Sequence, residues 1–340
     1  MKKAIILFNL GGPDNLEAVE PFLYNLFSDP AILGLPGFLR IPLAKFISKR
    51  RAPTAKAIYR EMGGRSPILE QTQMQAESIE KSLAVEPDDY KCFIVMRCWN
   101  PRADKVIKEV KEYNPNQIIL LPLYPQYSGT TSGSSIKEWK EKCKENELNV
   151  DTKIICCYPT EDDFILSHVN LIKQEIKNQE LDNTILIFSA HGLPESKITK
   201  GDPYQWQVEK SVENLVSKLS IKNLDYILSY QSRVGPQKWI GPSTDKTIVL
   251  NSKLKKNIIL SPIAFVSEHS ETLVELDIEY KKLAKENGCG NYIRIPAVTC
   301  HPDFISSLKK NILNASNGQK YTSSVNCPEK FKICPRFLYP

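Results

Sequence analysis

The chain lacks several features that would settle its class quickly. Its nine cysteines include no Cys-x-x-Cys pair, so no thioredoxin-type or zinc-ribbon motif can be read from it. No stretch approaches the roughly 18 uncharged apolar residues that cross a bilayer. The opening MKKAIILFNLGGP runs from an apolar stretch into a Gly-Gly-Pro turn without a small-residue cleavage site, so no secretory leader is expected. That turn fits neither the dinucleotide nor the P-loop glycine pattern, which leaves a nucleotide site without support. Histidine is scarce, at four in 340 residues. The charge imbalance is small, with 45 Lys and Arg against 39 Asp and Glu, a net +6. Such an excess suits an anionic ligand or an anionic membrane surface. It is too weak to indicate nucleic acid, and no RNP-like, zinc-finger or basic-region motif accompanies it.

What is present is a globular composition, 41% hydrophobic and 25% charged, over a length that suits two domains. Short β-branched runs at 4–9, 92–97, 117–122, 152–157, 184–190, 225–230, 257–262 and 291–296 predict strands. Amphipathic stretches between them, at 70–84, 101–113, 162–178, 204–219 and 271–286, predict helices. Apolar strands alternating with helices indicate parallel sheets covered on both faces. The pattern also repeats. NQIILLPLYPQYS at 116–128 matches KNIILSPIAFVSE at 256–268, and DDFI at 162–165 matches PDFI at 302–305, each at an offset of 140 residues. The expected fold class is therefore α/β, with two similar Rossmann-like domains, each a four-stranded parallel sheet flanked by helices. The first should span 1–158, joined by a C-terminal helix and tail at about 303–340. The second should span 159–302, with a cleft between the strand-end loops of the two.

Those loops carry the residues that could do chemistry. His191 ends the run ILIFSAH in a Gly/Pro turn. It reads either as a strand-end histidine bonded to the backbone, or as a proton acceptor or ligand for a divalent metal. In SEHSETLVELDIEY, Glu268, Glu271, Glu275 and Glu279 fall three, four and four apart and would form one stripe on a helix starting near Ser267. Glu275 and Glu279 read either as a solvated helix face, with acids favoured near a helix N-terminus, or as part of the same acidic chemistry. Glu268 and Glu271 stand at the mouth of an apolar strand, where clustered acids need a cation or shared protons. Asp202 and Pro203 read as the start of a helix, with Tyr204 and Trp206 on a wall. Trp239, between two Gly-Pro turns, is a packed anchor or a ligand contact. Arg97 ends a strand and could pair with a ligand carboxylate, and Tyr124 and Tyr127 could meet the same ligand.

FSAHGLPES followed by KGDPY resembles the signature of the ferrochelatase family. LFNLGGPDNLEAVEPFLYNLFSD, YREMGGRSPI, LPLYPQYSGTTSGSS, YQSRVGPQKWIGPSTD and PIAFVSEHSETLVELDIEY resemble the family's other blocks, in order and over nearly the whole chain. The resemblance implies a chelatase-type fold. It also implies a lyase that inserts Fe2+, its substrate, into protoporphyrin IX to form protohaem, the last step of haem biosynthesis. Some bacterial relatives act on coproporphyrin instead. It assigns His191 and Glu271 as catalytic, and His191 either takes pyrrole protons or ligates metal. Both also stand as metal-site residues, with Glu268 and Glu275 as an acidic path. Arg97, Tyr124, Tyr204 and Trp239 fall on positions for porphyrin contact or site order.

Two features bear on cofactor and location. Some members hold a [2Fe–2S] cluster on four cysteines. Here Cys327 and Cys334 keep a C-x6-C spacing, but Arg336 replaces the third C-terminal cysteine and Gly129 occupies the place of another ligand, which argues against a cluster. The 30–51 segment, PAILGLPGFLRIPLAKFISKRR, is apolar and carries Arg40, Lys45, Lys49, Arg50 and Arg51. It reads as a lip that also rests peripherally on the inner membrane, or as an ordinary amphipathic helix packed on the core. The expected setting is the cytoplasm, with or without contact to the membrane's cytoplasmic face. A cobalt or nickel chelatase, a porphyrin carrier without turnover and a solute receptor are the rival readings. The His191 and Glu271 pair favours an enzyme, because a carrier needs no proton acceptor.

Overall fold

A computed structural model of the chain describes all residues except 178, 180, 223, 234, 236, 319, 339 and 340, and leaves out the side chains of 336 and 338 as well. Eight strands form within three residues of the apolar runs. They are β1 Lys2–Asn9, β2 Asp89–Met96, β3 Gln117–Pro122, β4 Asp151–Cys157, β5 Thr184–His191, β6 Asp225–Gln231, β7 Asn257–Pro262 and β8 Tyr292–Arg294, and a ninth, β9 Tyr321–Ser323, follows. One sheet has the order β2-β1-β3-β4-β9 and the other β6-β5-β7-β8. The pairings within β1–β4 and within β5–β8 are parallel. Each sheet thus contains the same order of four strands, second-first-third-fourth, as two similar domains require.

The inner strands are apolar along their length because helices cover both faces. Every residue of β3 is buried, as is every residue of β5 up to His191. One core joins Ile6, Phe8, Leu120 and Ile154 to Val106 and Val110 of the helix Ala103–Tyr113. The other joins Ile187, Ile258 and Leu260 to Leu276 and Tyr280. The first sheet departs from the expected four strands. Its fifth, Tyr-Thr-Ser, is too short and polar to show as an apolar run. The chain divides into two compact units, one of Met1–Cys156 with Leu308–Ser323, the other of Cys157–Ser307 with Ser324 onward. The tail is therefore divided, and Ser324 onward falls with the second unit.

In the first unit the helix Gly37–Glu61 runs through Pro42 and Pro53. It buries small residues, Ala44, Ser48 and Ala52, at four-residue spacing. Large apolar side chains of its first half stay outside, with Phe38 76% and Phe46 62% exposed and Leu39 and Ile41 also exposed, whereas Tyr59 near its end is buried. Among the described residues, no helix is long and apolar enough to cross a membrane.

Candidate active site

The second unit gathers its polar chemistry at the carboxyl end of β5. His191 is the last residue of that strand and is half-buried. Gly192 follows because the chain needs a close approach there. A Cβ at Gly192 would lie 2.8 Å from the Gln231 carbonyl and 3.3 Å from the Trp239 ring. The Gly192 N–H donates to that same carbonyl at 2.9 Å. His191 Nδ1 lies 2.8 Å from Glu271 Oε2. A carboxylate accepts, so Nδ1 carries the proton, and Nε2 is the nitrogen left to meet a substrate.

Glu271 opens a π-helix, Glu271–Glu279, where an α-helix starting near Ser267 was expected. The wider turn closes with the Tyr280 N–H on the Glu275 carbonyl, five residues back. Glu271 and Glu275 come together around Ser232. Its Oγ is 3.2 Å from Glu271 Oε2 and 2.5 Å from Glu275 Oε2. Glu275 also accepts from the Ser232 N–H at 2.9 Å, Gln231 Nε2 at 3.2 Å and Tyr280 Oη at 2.8 Å. Ser232 has φ +59°, the left-handed region a non-glycine residue occupies only when its surroundings hold it there. A continuous bonded path thus runs His191–Glu271–Ser232–Glu275–Tyr280.

The charges along this path are set apart by their surroundings. Burial alone would lower the His191 pKa, but the Glu271 carboxylate and its hydrogen bond outweigh that, and the pKa is raised. For Glu271, burial pushes upward, yet the facing imidazole, His269 and the Ser232 hydroxyl hold it well below the usual carboxylate range. Burial, and then the neighbouring Glu271 charge, push Glu275 upward against the bonds from Ser232 and Tyr280. Glu271 is therefore the fixed anion, and Glu275 is the carboxyl readier to hold a proton.

Glu268 stands before the π-helix, outside the stripe expected for it. Its Oε1 is 2.5 Å from Arg294 Nη1 and 2.9 Å from the Ala297 N–H. Glu279 is exposed. Tyr204 begins the helix Tyr204–Leu219, its N–H capped by Asp202 Oδ1 at 3.0 Å. Tyr204 is buried, with its hydroxyl against the His191 backbone. Trp239 is half-buried beside Gly192, and its indole N–H has no hydrogen-bond partner among the described residues. Trp206 packs on Phe331, ring centroids 5.5 Å apart.

In the first unit, Arg97 follows β2 and its guanidinium is already engaged. Nη2 is 2.9 Å from Asp29, Nε 2.7 Å from Ser134 Oγ and Nη1 3.2 Å from Glu138. Arg102 reaches the same Glu138 oxygen at 2.5 Å. Tyr124 is half-buried beyond β3. Cysteines meet in the second unit, where Gln207 Nε2 donates to Cys157 Sγ at 3.3 Å and Cys327 Sγ at 3.2 Å. Cys334 is buried, and the Arg336 side chain lies outside the described ones. Among the described residues no three His, Cys, Asp or Glu side chains are arranged to hold a metal ion.

Ser232, Tyr280, Asp29 and Arg294 were not singled out from sequence. Ser232 gave a signal by lying in the polar loop YQSRVGP, and Tyr280 by closing the acidic stretch five residues after Glu275, whereas Asp29 and Arg294 act through partners distant in the chain.

The overall fold is similar to that of solved chelatases. The sirohydrochlorin chelatase SirB of Bacillus subtilis superposes with a TM-score of 0.55, covering 93% of this chain and 96% of that one at 11% identity. CbiX, the terminal enzyme of sirohaem biosynthesis in denitrifying bacteria, gives 0.50 over 93% and 99% at 12% identity. The fold is that of the metal chelatases. The ferrochelatase family model matches residues 2–316. The ferrochelatase of Pelagibacter ubique is 61% identical over the full length of both chains, and that of a Wolbachia from Drosophila simulans is 52% identical over 92% of this chain and 99% of its own. The chain belongs to the ferrochelatase family, enzymes of the metal-chelatase class in haem biosynthesis.

Proposed function

We propose that this chain inserts Fe2+ into protoporphyrin IX to form protohaem and two protons, with His191 as the proton acceptor. The observation that carries the reading is the bonded path from His191 through Glu271 and Ser232 to Glu275 and Tyr280. A free-base porphyrin holds two pyrrole N–H protons, and both must leave as iron enters. His191 Nε2 takes a pyrrole proton while Nδ1–H stays on Glu271. The imidazolium then faces a carboxylate that remains ionised, which stabilises the charge developing in the step. Glu275, whose pKa is raised, is the readier of the two carboxyls to receive the second proton, with Ser232 between it and Glu271. Iron arrives as an aqueous cation and sheds water as the pyrrole nitrogens take its place. A cavity fitting a bent macrocycle better than a flat one would lower that barrier. Trp239, its ring beside Gly192, offers a flat face to the porphyrin. Tyr204 supports the strand end that carries His191. Arg97, held by Asp29, Ser134 and Glu138, orders its own surroundings.

The Gly37–Glu61 helix gives this enzyme a surface for its greasy substrate. It turns small residues inward and Phe38, Leu39, Ile41 and Phe46 outward beside basic residues. Leaving one such side chain in water rather than in an apolar medium costs about 1.5–3 kcal/mol. Resting on an anionic bilayer at the cytoplasmic face removes that cost and adds attraction for the lysines and arginines.

The test is anaerobic: purified protein, Fe2+ and protoporphyrin IX, following loss of free-base fluorescence and growth of the haem Soret band, with His191→Ala in parallel. Haem formation with turnover, abolished by the substitution, is expected. Porphyrin binding without turnover in both proteins would sink the reading.

A further inference from the structure

The π-helix that presents Glu271 and Glu275 is tied down from one strand, β8. Arg294 is the centre of the tie. Its Nη1 is 2.5 Å from Glu268 Oε1, three residues ahead of Glu271. Its Nη2 and Nε reach Asp277 Oδ2 and Oδ1 at 2.5 and 2.9 Å, a two-pronged bond to the far half of the same helix. Two residues away on β8, Tyr292 Oη donates to the Leu276 carbonyl at 2.7 Å. The anchors therefore stand on both sides of Glu271 and Glu275. The Arg294 side chain is 9% exposed and that of Glu268 12%, so water does little to weaken the pair.

A π-helix widens each turn, leaves its hydrogen bonds poorly aligned and is rarely held by its own backbone alone. Relaxing to an α-helix would change the angular offset between Glu271 and Glu275. Glu271 could then not face His191 while Glu275 faces Ser232 and Tyr280. Something outside the helix must fix its winding, and the guanidinium fork is shaped for that. It bonds the lead-in with one nitrogen and Asp277 with two.

We infer that Arg294 is a positioning residue: it holds the π-helical winding of 271–279, and through it the simultaneous engagement of Glu271 and Glu275. It touches neither the macrocycle nor the reacting atoms in this role. The inference deepens the proposed function and rests on it for its kinetic consequence, whereas the structural claim stands on its own.

The test uses the full chain with Arg294→Lys, which keeps the charge and loses the fork, and Arg294→Gln. Two readouts are taken: steady-state iron insertion, and hydrogen exchange of backbone amides by mass spectrometry. Both variants should lose roughly ten- to a hundredfold in kcat with the porphyrin KM nearly unchanged. Amides of 271–279 should exchange faster while those of β1, β3 and β5 do not change. Lysine should fail to rescue. Unchanged kcat in Arg294→Lys, or faster exchange spread evenly over the second unit, would overturn the inference. A wild-type chain that inserts no iron would count against the proposed function instead, and the exchange readout would still decide the role of Arg294.

Discussion

Glu271 and Glu275 share a single hydroxyl, that of Ser232, at 3.2 and 2.5 Å. A hydroxyl has one proton, so it can donate to only one of two carboxylates. Both contacts are hydrogen bonds only when one of the two glutamates is itself protonated. Glu275 is the readier of the two to take that proton, because burial and the Glu271 charge raise its pKa while His191 holds that of Glu271 down.

Removing the shared hydroxyl should break the path without removing either acid. Ser232→Ala keeps the backbone and leaves two carboxyls with nothing between them. Its kcat for haem formation should fall by about one order of magnitude with little change in the porphyrin KM, since a proton-transfer step is affected and not binding. A steady-state comparison of the two parameters checks this, and a change confined to KM would be the contrary result.

His168 offers a prediction about stability. It is fully buried on the helix Asp162–Ile176, packed edge-on against Phe164, and neither ring nitrogen has a hydrogen-bond partner among the described residues. Burial, and then His301, push its pKa down to about 3. The folded state refuses a proton that the unfolded chain accepts below its ordinary value near 6.5. Stability is thus undiminished by this group above pH 6.5 and falls as pH drops below it, by about 1.4 kcal/mol per unit. His168→Leu should flatten the fall between about pH 6 and pH 4. It should also leave the protein as stable or more so at pH 7, because no bond is lost. Denaturant melts at the two pH values decide it, and a variant less stable than the parent at pH 5 would contradict the account.

The exposed apolar face of Gly37–Glu61 predicts binding to lipid. Phe38→Asp together with Phe46→Asp should weaken cosedimentation with vesicles containing phosphatidylglycerol by roughly tenfold or more, given about 1.5–3 kcal/mol for each side chain. Neither residue is buried, so the melting temperature should stay within a degree or two. Equal cosedimentation of parent and variant would remove the lipid role of this face.

The framework was legible because fully buried strands must be apolar along their whole length. Runs such as IILLP and ILIFSA declare themselves without any partner. His191 stood out as the polar residue that closes such a run in a Gly/Pro turn, although a backbone-bonded structural role stayed open from sequence. The acidic stripe was legible only in part. Spacing of three and four residues suggests an α-helical face, and nothing local announces a π-helix. That winding depends on Arg294, distant in the chain, so Glu268 could not be separated from Glu271 and Glu275 beforehand. Arg97 shows the same limit. A strand-end arginine looks available in sequence, and its engagement by Asp29, just past one helix, and by Ser134 and Glu138 on another depends on residues distant in the chain. The strand Tyr321–Ser323 escaped because three residues of mixed polarity carry no period.

The pairing of His191 with Glu271 is the centre of the account, and its protonation measures it most directly. The raised His191 pKa stabilises the fold most fully below about pH 6.5 and loses that contribution as pH rises through the folded value. The lowered Glu271 pKa contributes above about pH 4.5 and is lost as pH falls. With only four histidines, nuclear magnetic resonance of histidine-labelled protein can follow His191 alone, assigned through His191→Ala. Its pKa should lie above the ordinary histidine value and coincide with the acid limb of kcat/KM for iron insertion. Both should move to lower pH together in Glu271→Gln, because the carboxylate that favours the imidazolium is gone. A His191 pKa at or below the ordinary value, or an acid limb that stays fixed while that pKa moves, would contradict the assignment of His191 as the base.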